Sequence, residues 1–270
     1  MTTVLAFANQ KGGVAKTTST LNTGVALREM HHRVLAIDMD PQGNLSMSQG
    51  INPDFLTKST YNVLVQRMPL DEVIQRREID IAPASIELAA AELALSSAIG
   101  RERALEKAIM AVKDRYDYIL IDTPPSLGLL TINALTASDG VIVPVQCEYL
   151  SLRGLAQLER TLEMIRENLN PRVRIRGILP TMYDSRTLHG REARDILRDS
   201  FGDLVFNTVV KKTIRFAEAP VQGRSMLAYD PEGKAAYTYR KLAKELLNGT
   251  QSEHEGRGLG EPVPAYGASI

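Results

Sequence analysis

Short apolar runs alternate with longer stretches of helical periodicity from the N-terminus to about residue 247, and this alternation leaves the chain few architectures. Val4-Leu5-Ala6-Phe7-Ala8, Val34-Leu35-Ala36-Ile37, Tyr118-Ile119-Leu120-Ile121 and Val141-Ile142-Val143 are apolar at every position. A strand with one face in water would alternate apolar and polar residues, so continuous runs point to strands buried on both faces. Ile79-Asp80-Ile81-Ala82 is a weaker run, and 173–179 and 204–210 complete the set. Helical patterns fall near 17–30, 101–115, 127–137, 151–168, 189–200 and 233–247. Helices must then cover both faces, which predicts an α/β fold with a doubly wound, mostly parallel sheet. No strong linker interrupts the alternation, so residues 1–247 are expected to form one domain. Residues 248–270 are rich in Gly, Pro and polar side chains without periodicity, and a flexible polar tail is expected there.

Composition agrees with a globular chain. Of 270 residues, 44% are apolar and 24% charged. The single cysteine, Cys147, excludes an internal disulfide or a four-cysteine metal site within one chain. No apolar run approaches the roughly 20 residues of a membrane span. Met1-Thr2-Thr3-Val4-Leu5 lacks the basic and apolar regions of a secretion signal, so a cytoplasmic location is expected.

The first strand leads into Asn9-Gln10-Lys11-Gly12-Gly13-Val14-Ala15-Lys16-Thr17-Thr18 and then a helix. Glycines let backbone N–H groups close around anionic oxygens, and a helix N-terminus adds its positive dipole end. Lys16 can reach β- and γ-phosphates, and the Thr17 hydroxyl can ligate Mg²⁺. The common pattern G-x-x-x-x-G-K-[ST] is missed twice, because Gln10 and Ala15 occupy the glycine positions. By itself the segment also suits an ordinary strand-to-helix turn.

Two further strands end in acids. Ile37-Asp38-Met39-Asp40-Pro41-Gln42-Gly43-Asn44 follows the second strand, and Asp122-Thr123-Pro124-Pro125 closes the run from Tyr118. Ligands of open α/β sheets bind outside the carboxyl ends of strands, where such acids can meet Mg²⁺ or a water beside a phosphate. A solvated turn or a helix cap would use the same residues. The chain offers no convincing Ser-His-Asp or Cys-His set.

These segments together resemble the deviant Walker-A ATPases, and within them the ParA family of partition ATPases in its chromosomal Soj-like branch. The family loop K-G-G-x-G-K-T-[TS] corresponds to Lys11-Gly12-Gly13-Val14-Ala15-Lys16-Thr17-Thr18. D-x-D-P-Q-G-N matches Asp38 to Asn44, and D-x-P-P-S matches Asp122 to Ser126. Thr181-Met182-Tyr183-Asp184-Ser185-Arg186-Thr187 and Glu218-Ala219-Pro220 resemble late family motifs. The resemblance implies a P-loop NTPase fold, ATP and Mg²⁺ as cofactors, and slow, partner-stimulated hydrolysis to ADP and phosphate. It implies that Lys16 holds the phosphates of its own subunit and that Lys11 reaches across an ATP-bound homodimer to the partner's nucleotide. Asp40 would orient or activate the attacking water, with Thr17, Asp38 and Asp122 around the metal. Ala15 departs from the family glycine; a helix-like φ is expected for it at the start of the first turn.

The formal charge is zero, 32 basic against 32 acidic residues, yet residues 171–224 carry 11 Lys and Arg against 6 acids, an excess of 11 − 6 = 5. Basic side chains on one face can neutralise DNA phosphates without reading bases. The resemblance implies non-specific duplex binding, with Arg186 and Arg215 at matching positions and Lys211, Lys212 and Arg224 as further candidates. Arg191, Arg194 and Arg198 alternate with Glu192, Asp195 and Asp199, as intrahelical pairs would. A ParB-like or other cargo adaptor and a nucleoid-associated location follow from the same resemblance, whereas the cargo itself (chromosome, plasmid or another assembly) does not. Two other readings use the same scaffold. A MinD-like switch would lay the basic, amphipathic segment Lys234 to Leu247 on lipid. A metabolic ATPase or ligase would need a substrate pocket, and a cluster shared between subunits would need two cysteines per chain.

Overall fold

The computed structural model describes residues 1–147, 151–184 and 187–254. Its strands are β1 Thr3–Phe7, β2 Val34–Asp38, β3 Gln75–Arg76, β4 Asp80–Ala82, β5 Tyr118–Asp122, β6 Gly140–Gln146 and β7 Ile175–Thr181. The helices are α1 Lys16–Glu29, α2 Asn44–Met47, α3 Thr60–Gln66, α4 Ala91–Ala94, α5 Ala104–Met110, α6 Leu129–Thr136, α7 Ser151–Asn168, α8 Leu188–Phe201, α9 Arg215–Val221, α10 Met226–Tyr229 and α11 Lys234–His254.

The strands form one sheet in the order β3-β4-β2-β5-β1-β6-β7. Only β3 runs antiparallel. β1, β2 and β5 are buried on both faces, apart from Thr3, as their apolar runs require. One core layer joins the sheet to α3, α5, α6 and α7, through residues such as Leu64, Leu105, Leu135 and Leu158. The other joins it to α1 and α11, through Leu21, Leu27, Tyr239 and Leu242. α1 lies close to the sheet because residue 24 is glycine: a Cβ there would sit 2.8 Å from Ile79 Cδ1. α11 is pinned to α1 through two consecutive residues. Ser19 Oγ and Tyr239 Oη are 3.2 Å apart, and Arg240 grips Glu29 with Nε at 2.6 Å and Nη2 at 2.9 Å.

Two expectations change. Residues 204–210 do not form a strand; their backbone meets the sheet at the isolated bridge from Val205 to Ile178 and through single bonds from Phe206 N to Ile178 O and Val210 N to Pro180 O. Pro180 in β7 has no N–H to give a continuing ladder. The Asn207 and Thr208 N–H groups instead donate to the Glu245 carboxylate on α11. At the C-terminus, α11 continues to His254, beyond the helical pattern that ended at Leu247.

Candidate functional site

Sheet register assembles the site. β5 lies between β1 and β2, and in register Phe7 pairs with Asp122 while Asp38 pairs with Asp122. The glycine loop leaving β1 and the two acids ending β2 and β5 therefore emerge side by side at the carboxyl edge. This is where open parallel sheets place ligands.

The loop is tied down at both sides. Asn9, buried, donates from Nδ2 to Pro144 O at 2.7 Å and accepts the Lys11 N–H at 2.9 Å. Thr181 Oγ1 donates to Val14 O at 3.1 Å from the end of β7. Lys11, Gly12 and Gly13 are exposed along the loop's outer side, and Gly13 has a φ of 72°. Ala15 is the N-cap of α1 and stands at φ 67°, ψ 33°. This corrects the helix-like φ expected for it: the residue sits in the left-handed region, where its Cβ crowds the adjoining carbonyl. Such a conformation costs an ordinary residue about 1–2 kcal/mol. The family glycine at this position is thus explained by geometry; in this chain the Ala15 carbonyl accepts the Ser19 N–H at 2.9 Å and starts the helix.

Lys16 opens α1 and points inward, with 6% of its surface exposed. Burial lowers its pKa, against the opposing pull of Asp122 and Asp40. Its Nζ reaches Lys11 O at 3.4 Å, a long contact for an ammonium. A buried ammonium so weakly bonded favours an anionic ligand.

Asp38 and Asp122 are fully buried. Asp38 accepts from Asp40 N at 3.1 Å, Ser46 N at 3.0 Å and Ser46 Oγ at 2.7 Å. Desolvation outweighs these bonds and, with the nearby Asp40 charge adding, pushes its carboxyl up to about 6. Asp122 is raised as well, by burial first and by the Asp38 charge second. It accepts from Thr17 Oγ1 at 2.6 Å and Thr20 Oγ1 at 3.3 Å. Asp40 lies beside them, its Oδ1 holding Gln42 N at 2.9 Å. Thr18 is half-buried on the first turn of α1, where its carbonyl accepts from Asn22. The donor set of two carboxylates and one hydroxyl is no complete protein cage. Among the described residues no cluster of three or more His, Cys, Asp or Glu could hold a metal alone. This fits Mg²⁺, which keeps waters and takes phosphate oxygens alongside one or two carboxylates.

Sequence reasoning gives no role to Ser46, Asn9, Thr20 or Thr181, although Asn9 opens the loop segment and Thr181 a late family motif. Ser46 had a signal: it lies just past Asn44, on the short helix that follows the acidic motif.

Three of the basic candidates share one region. Lys211, Lys212, Arg215 and Arg224 are all exposed. Lys211, Lys212 and Arg215 line a groove of about 660 Å³ together with Lys234, Asp230 and Glu232. Arg186 lies outside the described residues. On α8, Arg194 stacks over Tyr183 with its guanidinium carbon 6.0 Å from the ring centre, and Arg198 Nη2 donates to Asn207 Oδ1 at 2.6 Å. These two arginines therefore hold the protein's own surface together.

A family model described as an AAA domain matches residues 2–175. The sporulation initiation inhibitor protein Soj of Bacillus subtilis (strain 168) is 45% identical over 246 residues, covering 90% of this chain and 97% of Soj. The chromosome partitioning protein ParA of Caulobacter vibrioides (strain NA1000 / CB15N) is 42% identical over 250 residues, covering 91% and 94%. The chain belongs to the ParA family of partition ATPases. Its P-loop NTPase fold is also that of a solved structure, cobyrinic acid a,c-diamide synthase from Mycobacterium smegmatis with bound ADP and magnesium, at a TM-score of 0.83 and 41% identity over 94% of this chain and 97% of that one. Placed beside the ParA family loop, Ala15 is a departure that the backbone does not favour.

Two outcomes follow. Ala15→Gly should stabilise the nucleotide-free protein by about 1 kcal/mol in denaturant unfolding, because it relieves positive φ. A helix-like φ would give a loss of about 1 kcal/mol instead. For Asp38, the folded pKa near 6 lies above the unfolded value of about 3.9, so ionisation costs stability. Its contribution is complete below about pH 4 and is lost as pH rises through about 6. Asp38→Asn should therefore gain on wild type between pH 4 and pH 7, by up to about 3 kcal/mol. A difference in unfolding free energy that stays constant with pH contradicts this.

Proposed function

We propose that this protein is an ATP-dependent DNA-segregation or cargo-positioning ATPase. The observation that carries the reading is the buried Lys16 ammonium at the head of α1, facing two buried carboxylates beside a glycine loop. A polyphosphate satisfies the lysine and the loop N–H groups. Mg²⁺, held through Thr17, Asp38 and Asp122, would supply charge neutralisation at the phosphates. In this reading residues 12–18 cradle the nucleotide and Asp40 orients the attacking water. Lys11, exposed on the loop, reaches the nucleotide of a second copy in an ATP-bound homodimer. The dimer presents Arg215, Lys211, Lys212, Arg224 and Arg186 to duplex DNA without base readout, which places the protein on the nucleoid. A ParB-like or other adaptor stimulates slow hydrolysis and release. Residues 1–247 form the ATPase unit, α11 runs on past it to His254, and the remaining C-terminal residues are its polar tail.

The solved relative named as a diamide synthase raises an amide-forming reading. An amide-forming enzyme that works through a cysteine nucleophile relies on a thiolate. Cys147, the chain's single cysteine, is buried, and desolvation pushes its thiol up to about 11. That environment disfavours the thiolate, and the partition reading is preferred. A lipid-bound switch is disfavoured by α11, whose apolar residues Tyr239, Leu242, Ala243 and Leu246 are spent on the core. No described helix is long and apolar enough to cross a membrane.

Duplex DNA binding without nucleotide, with ADP and with ATP, each with Mg²⁺ across a salt series, tests the proposal. Binding should require ATP, fall steeply with salt, vanish in Lys16→Ala and weaken roughly tenfold in Arg215→Glu. Equal binding in all three nucleotide states would exclude the switch.

A further inference from the structure

Arg215, the first residue of α9, does not stand free on the basic face. Its guanidinium makes an ion pair with the carboxylate of Asp230, fifteen residues on. Asp230 belongs to a different part of the fold. Its N–H donates to Met226 O at 2.9 Å, which closes α10, and its carbonyl accepts Gly233 N at 3.0 Å just before α11. The carboxylate lies so close to Gly233 that any Cβ there would overlap it, so the glycine makes room for the acid in this position. Further acids border the arginine. Glu218, one turn along α9, accepts from Tyr229 Oη at 3.1 Å, and Glu232 lines the same groove as Arg215 and Asp230.

Asp230 is positioned by elements seated on the helix that carries Lys16 and Thr17. The Met226 N–H donates to Asn22 Oδ1 of α1 at 2.7 Å. Beyond Asp230, α11 is fixed to α1 through Tyr239 and Arg240. Arg215 sits on α9, which reaches the rest of the fold through Phe216, edge-on to Tyr239 of α11 with ring centres 6.0 Å apart, and through the 222–225 turn, where Ser225 N donates to Glu78 at 2.8 Å. The ion pair thus adds a polar link between the candidate DNA face and the body anchored on the phosphate-loop helix.

A carboxylate and a phosphate are alternative ligands for one guanidinium. We propose that Asp230 is an intramolecular competitor for the DNA phosphate on Arg215, so that this part of the basic face is occupied by the protein's own acid until DNA displaces it. The proposal rests on the reading of Arg215 as a DNA contact. The pair is exposed, so the competition is modest: removing it should tighten binding about two- to fivefold.

The test is duplex affinity with ATP and Mg²⁺ for wild type, Asp230→Asn, Asp230→Ser, Arg215→Ala and the double variant Asp230→Asn with Arg215→Ala. Asn and Ser both retain a side chain able to cap the adjoining turn. Both single Asp230 variants should bind about two- to fivefold tighter than wild type, and Asp230→Asn should change affinity no more than Glu232→Gln does once Arg215 is alanine. Glu232→Gln controls for general charge and should act equally in both backgrounds. Unchanged affinity in both Asp230 variants, or equal tightening with and without Arg215, overturns the proposal. If Arg215→Ala weakens binding while the Asp230 variants do nothing, the proposal falls alone. If Arg215→Ala has no effect on binding, the assignment of Arg215 to DNA falls, and the proposal with it.

Discussion

The parallel register of β1, β5 and β2 is the constraint on which the site depends. It sets Phe7, Asp122 and Asp38 level at one sheet edge. Everything chemical follows from that alignment. The loop after Phe7 turns over Asp122, Lys16 drops into the gap, and two carboxylates that would repel one another are forced into the same buried space. The fold holds this arrangement with hydrogen bonds from Thr17, Thr20 and Ser46, which offset part of the desolvation without cancelling it. An ammonium with one long contact and two carboxyls raised by burial form a site whose charges are most comfortable with a ligand present.

The same core carries the site's influence outward. α1 begins at the phosphate loop and is the surface on which α10 and α11 rest. The ParA-type device needs two states that differ in nucleotide contacts. In the proposed switch, α1, which starts at the glycine loop and carries α10 and α11 on its face, links the two regions, since packed helices shift as units rather than deform. The amphipathic face of α11 is explained by this packing, without recourse to a lipid surface.

Much of the fold was legible because its signal is local. The apolar runs of β1, β2, β5 and β6 need only their own residues to declare burial on two faces, and the glycine loop and strand-end acids follow from their neighbours in sequence. What stayed hidden depends on tertiary contacts. Residues 204–210 have a strand's composition, but Pro180 and Glu245 decide where their N–H groups go. The position of Ala15 before a helix suggests helical φ, while the turn of the glycine loop sets it in the left-handed region. Ser46, Asn9 and Thr181 act by reaching across the fold, and the pairing of Arg215 with Asp230 has no sequence spacing that announces it.

The central claim is that the buried Lys16, Asp38 and Asp122 cluster is a site for a magnesium-bound nucleoside triphosphate. Calorimetric titration of ATP near pH 6, in two buffers of different ionisation enthalpy, with and without Mg²⁺, tests it most directly. Because burial leaves the Asp38 carboxyl at about 6 in the free protein, binding should require Mg²⁺ and release protons, so that the apparent enthalpy depends on the buffer. Binding of equal strength without Mg²⁺, and with no buffer dependence, would contradict the account.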